Sequence, residues 1–168
     1  MNADELRATQ SPLKSRYRDE PQAARITLRA HGALDDAHIA CKVETGRALA
    51  VAGLHPATGG SGAELCSGDM LLEALVACAG VTLKAVATSM GIALRSGEVS
   101  AEGDLDFRGT LGVDKQAPVG FTDIRLNFAL DTDAAQDQLD TLLKLTERYC
   151  VVLQTLKRPP TLTAAIAR

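Results

Sequence analysis

Tryptophan is absent from this 168-residue chain, and two tyrosines and three phenylalanines are its only large aromatic side chains. That scarcity argues against a stacking platform for single-stranded nucleic acid. A basic patch is missing as well. The formal net charge is −3 and no Lys/Arg cluster stands out, so nothing electrostatic points to a nucleic-acid partner. The N-terminus, MNADELRATQ, has neither the basic start nor the apolar core of a signal peptide, and a cytoplasmic protein is expected. No Cys-x-x-Cys pair occurs. The four cysteines, Cys41, Cys66, Cys78 and Cys150, lie far apart, and without an export signal a disulfide framework is not expected. His31, His38 and His55 show no zinc-type spacing with them, so neither a metal nor a resident cofactor is expected.

What the chain does have is 46% hydrophobic and 23% charged residues, as in an ordinary soluble globular protein. Its length suits one domain with a real core. The longest apolar run, Met70 to Leu94, contains Glu73 and Lys84 and ends at Arg95. Each ionisable group at bilayer depth costs a few kcal/mol or more, so the run is read as a buried helix and no membrane is expected.

Residues 1–22 are polar, end at DEP, and read as a loose arm; residues 23–168 read as a single domain. ARITLRA alternates apolar and polar positions, HIACKVE repeats the pattern, TG at 45–46 is a turn, and RALAVAG returns. These are strands and a hairpin, with Cys41 facing the core as a small hydrophobe. Residues 54–69 form a loop rich in Gly, Ser and Pro. A helix follows from about Asp69 to Met90, closed by Gly91, and its apolar residues cover nearly its whole circumference. It should therefore be buried on most sides, and a second copy of the chain is one way to cover it.

EVSAEGDLDF and FTDIRLNFAL alternate as two further strands. DAAQ, 133–136, resembles a capping box and opens an amphipathic helix carrying Leu139, Leu142, Thr146, Cys150, Leu153 and Leu156 until KRPP stops it. TLTAAIA reads as a last strand. Strands, buried helix, strands, amphipathic helix and strand make an α+β domain.

The stretch LLEALVACAGVTLKAV puts Cys78 in the middle of an apolar run, and Cys150 sits on the apolar face of the later helix. Buried free cysteine is common, so the bland reading makes both thiols packing. Two thiols on two core-facing helices also fit a redox pair. A thiol oxidised to sulfenic acid needs a second thiol to condense with before further oxidation becomes irreversible.

SGDMLLEALVACAGVTLKAVATSMGI resembles the central helix of the OsmC/Ohr family, proteins linked to organic hydroperoxide detoxification. The family helix carries an acidic residue and, nine or ten positions later, a cysteine preceded by small residues; Asp69 and VACAG supply both. ERYCVVLQTL resembles the segment holding the family's second cysteine, at Cys150. The resemblance spans roughly residues 38 to 167. It implies an OsmC-like fold of antiparallel sheets packed with two long helices, in an intertwined homodimer with sites at the subunit interface. It further implies a peroxidase in which the Cys78 thiolate attacks a small hydrophobic hydroperoxide and Cys150 resolves the sulfenic acid as a disulfide. An external dithiol or protein thiol then reduces that disulfide. Asp69 replaces the family's usual Glu, and Val151 stands where a Pro usually follows the second cysteine. These departures mark a divergent branch. The rival reading is a dimeric small-ligand-binding protein without redox catalysis. Cys66, in the loop, is read as a bystander thiol or as an alternative partner for Cys78.

Two geometric expectations follow. Nine helical steps from Asp69 to Cys78 turn ~900° over ~13 Å, so the two would face opposite ways. Either the helix breaks near its start or Asp69 serves the Cys78 of a second copy. A free thiol with pKa about 8.5 is only a few per cent ionised at neutral pH, and apolar surroundings lower that fraction. Thr82, one turn on, shares the face of Cys78 and could donate to it, but Lys84 lies about 240° around. An activating cation is therefore expected from outside the helix: Arg47, His38 or His55, held by Asp69.

Overall fold

The computed structural model describes residues 2–5, 7, 8, 10, 11, 19, 31–34, 40–44, 49–112 and 114–167, with backbone alone at 31–34, 40–44 and 49. The residues described between 3 and 11 are helical. His38, Arg47, the ARITLRA segment, the 45–46 turn and the Cys41 side chain lie outside what is described. Two compact units make up the chain.

One unit takes in Ala8–Glu73 and Ala101–Leu126. Its sheet has the order β1 (His31–Leu34), β2 (Ala40–Glu44), β3 (Leu49–Gly53), β4 (Leu65–Cys66). The alternation in HIACKVE and RALAVAG becomes the antiparallel β2–β3 pair, with Ala40 opposite Gly53 and Glu44 opposite Leu49. Strand β1, the HGAL segment, pairs antiparallel with β2 and was not among the expected strands; with two small residues in four it offers little alternation to read. Strand β4 joins β3 in parallel, Cys66 beside Gly53.

The loop after β3 is more ordered than its composition implies. Pro56–Thr58 forms a 3-10 turn, and His55 caps it by accepting the Ala57 N–H on Nδ1 at 3.0 Å. A four-residue helix, Phe107–Thr110, starts where Asp106 accepts the Arg108 N–H at 3.0 Å. Phe107, expected as strand, thus belongs to a turn of helix.

The second unit takes in Met1–Arg7, Ala74–Ser100 and Asn127–Arg168. Helix α1 (Ser67–Met90) begins in the first unit and continues unbroken through the second. Its end is a Schellman motif: Gly91 has φ 70, its N–H reaches Thr88 O, and the Ile92 N–H reaches Ala87 O. The short helix at Phe107 is α2. Strands β5 (Ser96–Asp104) and β6 (Asp123–Asp131) form a two-stranded sheet. It is antiparallel, since Arg95 N–H donates to Asp131 O and Thr122 N–H to Asp104 O, each at 2.9 Å.

The core of this unit joins Leu83, Ala87, Ile92 and Leu142, with Phe128, Leu130 and Leu139 packed on it. Full burial of one such leucine stabilises by about 1.5–3 kcal/mol. Along α1 the buried residues are Leu75, Ala79, Leu83 and Ala87, a single stripe at four-residue spacing. The expectation of burial on most sides is not met within one chain; Val81 is 73% exposed. An all-round apolar sequence says that a helix can be covered everywhere, but among the described residues its buried positions form only one stripe.

The amphipathic helix expected through Leu156 is two helices, α3 (Gln136–Tyr149) and α4 (Val151–Lys157). Its start also shifts: Gln138 Oε1 accepts the Ala135 N–H at 3.1 Å, so the box-like contact sits two residues after the expected one. TLTAAIA belongs to no strand, with Leu162 and Ile166 exposed. Alternation supplies only one side of a strand pair, and this segment meets no edge among the described strands.

Candidate functional site

Cys150 is the residue at which the late helix breaks. It has φ −71 and ψ 107, an extended conformation that caps both α3 and α4. Its N–H closes α3 on Thr146 O at 2.9 Å, and its C=O opens α4 by accepting Gln154 N–H at 2.9 Å. In a straight helix the Val151 amide would donate to Glu147 O. Here Val151 swings away, and the Gln154 side-chain amide takes Glu147 O at 2.7 Å instead. Lys157 Nζ also reaches the Glu147 carboxylate, at 3.0 Å. The break thus leaves two amides at the start of α4 without helical acceptors.

Those amides find Cys78. Its half-buried sulfur lies mid-way along α1, and four donors surround it: the backbone N–H groups of Val152 and Val151, the Cys150 thiol and the Thr82 hydroxyl. Burial by itself pushes the Cys78 thiol up, but these donors, led by the Val152 amide, more than reverse that effect and hold it below the ordinary thiol value. The Thr82 contribution is the smallest, and geometry explains why. Its single hydroxyl proton is directed at the Cys78 carbonyl, 2.7 Å away, so the sulfur receives at most a share of it.

Cys150 behaves oppositely. It is fully buried, and burial pushes its thiol up; the Leu153 amide pulls it down, but the neighbouring Cys78 raises it further. Both thiols are free. The surroundings thus shift the two neighbouring thiols in opposite directions.

Of the residues singled out from sequence, the structure brings together Cys78, Cys150 and Thr82. Asp69 is exposed in the first turn of α1, with no hydrogen-bond or ion-pair partner among the described residues. The helix has no break near its start, which removes the first of the two geometric alternatives. His55 lies in the other unit, where its Nδ1 is committed to Ala57 and its ring stacks on Phe107 at 4.9 Å. The amides of Val151 and Val152 went unread, because the helical period runs on through Cys150 without a proline or glycine to mark the break. The Val-Val doublet is the faint signal available, since β-branched residues are weaker helix formers.

The chain is thus an α+β protein whose central helix presents one thiol to a second, helix-opening thiol. The family model for OsmC-like proteins matches residues 60–165, well over half of the chain. This protein belongs to the OsmC family. Solved structures agree on the fold. An OsmC-like protein from Mycoplasma pneumoniae aligns with TM-score 0.66 at 13% identity, over 80% of this chain and 89% of that one. An organic hydroperoxide resistance protein OsmC from Legionella pneumophila gives 0.62 at 14% identity, over 80% and 93%. The organic hydroperoxide resistance protein OhrB of Bacillus subtilis gives 0.52 at 17%, over 80% and 93%. No curated protein matches the sequence.

Proposed function

We propose that this chain is a thiol-dependent peroxide reductase acting on organic hydroperoxides. The observation that carries the reading is the opposed setting of two adjacent thiols, Cys78 lowered by the α4 amides and Cys150 raised. The Cys78 thiolate attacks the distal peroxide oxygen: an S–O bond forms, the O–O bond breaks, and the alkoxide takes a proton from water. Cys150 then attacks the sulfenic sulfur, forming S–S and breaking S–O, and its own proton leaves with the hydroxide as water. A small dithiol or protein thiol returns the disulfide to two thiols.

The apolar surroundings of the pair suit a hydrophobic substrate. The uncovered apolar residues of α1, Val81 above all, support a homodimer, and with α1 unbroken Asp69 is assigned to the site of the second copy.

Steady-state turnover of cumene hydroperoxide with dithiothreitol tests the chemistry, and sedimentation tests the dimer. Turnover should vanish in Cys78→Ser. No turnover by the wild type, or unchanged turnover in that variant, ends the proposal; a stable monomer at micromolar concentration removes the dimer.

A further inference from the structure

The thiol that this chemistry leaves unused, Cys66, lines a cavity of about 360 Å³ inside the sheet-bearing unit. Leu54, Leu105, Phe107, Val119 and Phe121 form its apolar walls, and among the described residues no charged side chain reaches it. Its polar equipment is small, namely His55 and the hydroxyls of Thr58, Ser67 and Thr110, and partly committed. Thr58 donates its hydroxyl to the His55 carbonyl at 2.8 Å. His55 accepts the Ala57 N–H on Nδ1, so the neutral ring carries its proton on Nε2, and that N–H has no partner among the described residues. Stacking on Phe107 at 4.9 Å, with 14° between the planes, fixes the ring within the wall.

Gly68 keeps this space open. A Cβ there would stand 3.5 Å from Phe121 Cζ, 3.6 Å from Cys66 Sγ and 3.7 Å from Leu105 Cδ1, ordinary contact distances to three residues of the lining. The missing side chain is therefore cavity volume, in a helical turn where alanine would suit the backbone better.

We propose that this cavity binds a small, uncharged, largely apolar molecule bearing one carbonyl or ether oxygen, which accepts the His55 Nε2–H while the Cys66 thiol lies in the wall beside it. A largely apolar pocket with an oriented ring donor, a few hydroxyls and no ion suits such a ligand better than an ionic one. Neither Cys78 nor Cys150 lines this cavity.

Alkylation of Cys66 in the full-length protein reads its occupancy, with each cysteine followed separately by peptide mass spectrometry. The probe is N-phenylmaleimide: Cys66 S–H adds across its C=C bond, forming S–C and passing the proton to the adjacent carbon, with nothing released. The rate at Cys66 should saturate with reagent concentration, whereas a maleimide bearing a quaternary ammonium should react more slowly and without saturation. The neutral ketone 4-phenyl-2-butanone should protect Cys66 competitively, at least fivefold better than butylbenzene, which has the same shape without the acceptor. Gly68→Val should abolish saturation and protection with the circular dichroism unchanged, and Gly68→Ala should weaken both if the larger residue fails to fold. A linear dependence with equal rates for both maleimides, or ketone protection equal to that of the hydrocarbon, overturns the proposal. So does complete protection of the ligand-free protein that dilution relieves, because a second copy of the chain would then fill the cavity.

Discussion

The backbone amide of Val152 donates to the sulfur of Cys78, across from one helix to the start of another. Because Cys150 is extended, the amides of Val151 and Val152 are released from the helix that precedes them, and the abandoned Glu147 carbonyl is capped by Gln154. A helix break, a capped carbonyl and a lowered thiol are one arrangement seen from three residues. Fixed dipoles thus supply at Cys78 part of what a basic side chain would supply.

Val151→Pro tests that arrangement. Val151 is the first residue of α4, where proline's missing N–H and fixed φ are best tolerated, and the ψ of 107 at Cys150 already suits a residue preceding proline. Val151 is also 69% exposed, so little packing is lost. Thermal unfolding should show little net change, because the gain of about 0.4–1 kcal/mol from the stiffer unfolded chain is offset by the lost Val151 N–H bond to Cys78, worth about 0.5–1.5 kcal/mol. Thiol titration should show the Cys78 pKa rising, because one of its two amide donors is gone. A large loss of stability would mean that α4 does not begin at residue 151.

The opposed thiol shifts predict a stability profile with a maximum near the ordinary thiol pKa. Below that value the folded protein has released the Cys78 proton while the unfolded chain keeps it, so stability rises with pH. Above it the unfolded chain has released the Cys150 proton while the folded protein keeps it, so stability falls. Urea denaturation against pH should lose the rising limb in Cys78→Ser. In Cys150→Ser it should lose the falling limb. A rising limb that persists in Cys78→Ser would assign that linkage to other groups.

Thr146 is 1% exposed, and its hydroxyl is the one buried side-chain polar atom among the described residues without a partner. An unsatisfied buried hydroxyl costs about 1–3 kcal/mol. Thr146→Val should therefore stabilise the protein by ~1 kcal/mol or more in urea denaturation. A destabilised variant would show that the hydroxyl has a partner, such as an ordered water, which valine cannot keep.

The parts of this fold that were legible in the sequence are those with local causes. Alternation marked β2, β3, β5 and β6, and Gly91 marked the end of α1 through a left-handed turn. The two thiols could be singled out because each stood on an apolar helical face. What escaped depends on partners distant in sequence. The break at Cys150 leaves the hydrophobic period intact, since Leu142, Thr146 and Cys150 are buried at the same four-residue spacing on either reading. The pairing of β1 and the unpaired state of residues 160–167 depend on which strand edges are free, which no local pattern records. The single buried stripe of α1 depends on how many walls the rest of the chain provides. The donors to Cys78 include backbone amides, which every residue carries and no sequence motif displays.

One equivalent of an organic hydroperoxide should act on a single thiol first. Cys78 is held below the ordinary thiol value and Cys150 above it, and the thiolate is the nucleophile, so on the proposed mechanism Cys78 should react before Cys150. Peptide mass spectrometry of the treated protein should therefore recover Cys78 joined to Cys150, with Cys41 and Cys66 still reduced. In Cys150→Ser the oxidation should stop at Cys78, where dimedone traps the sulfenic acid, and excess peroxide should carry it on to the irreversible sulfinic acid. In Cys78→Ser no dimedone adduct should appear at Cys150, because burial holds the remaining thiol up against the pull of the Leu153 and Val152 amides. Recovery of a Cys66–Cys78 disulfide would move the resolving role to the loop. An adduct at Cys150 in the absence of Cys78 would reverse the assignment of attacking and resolving thiols.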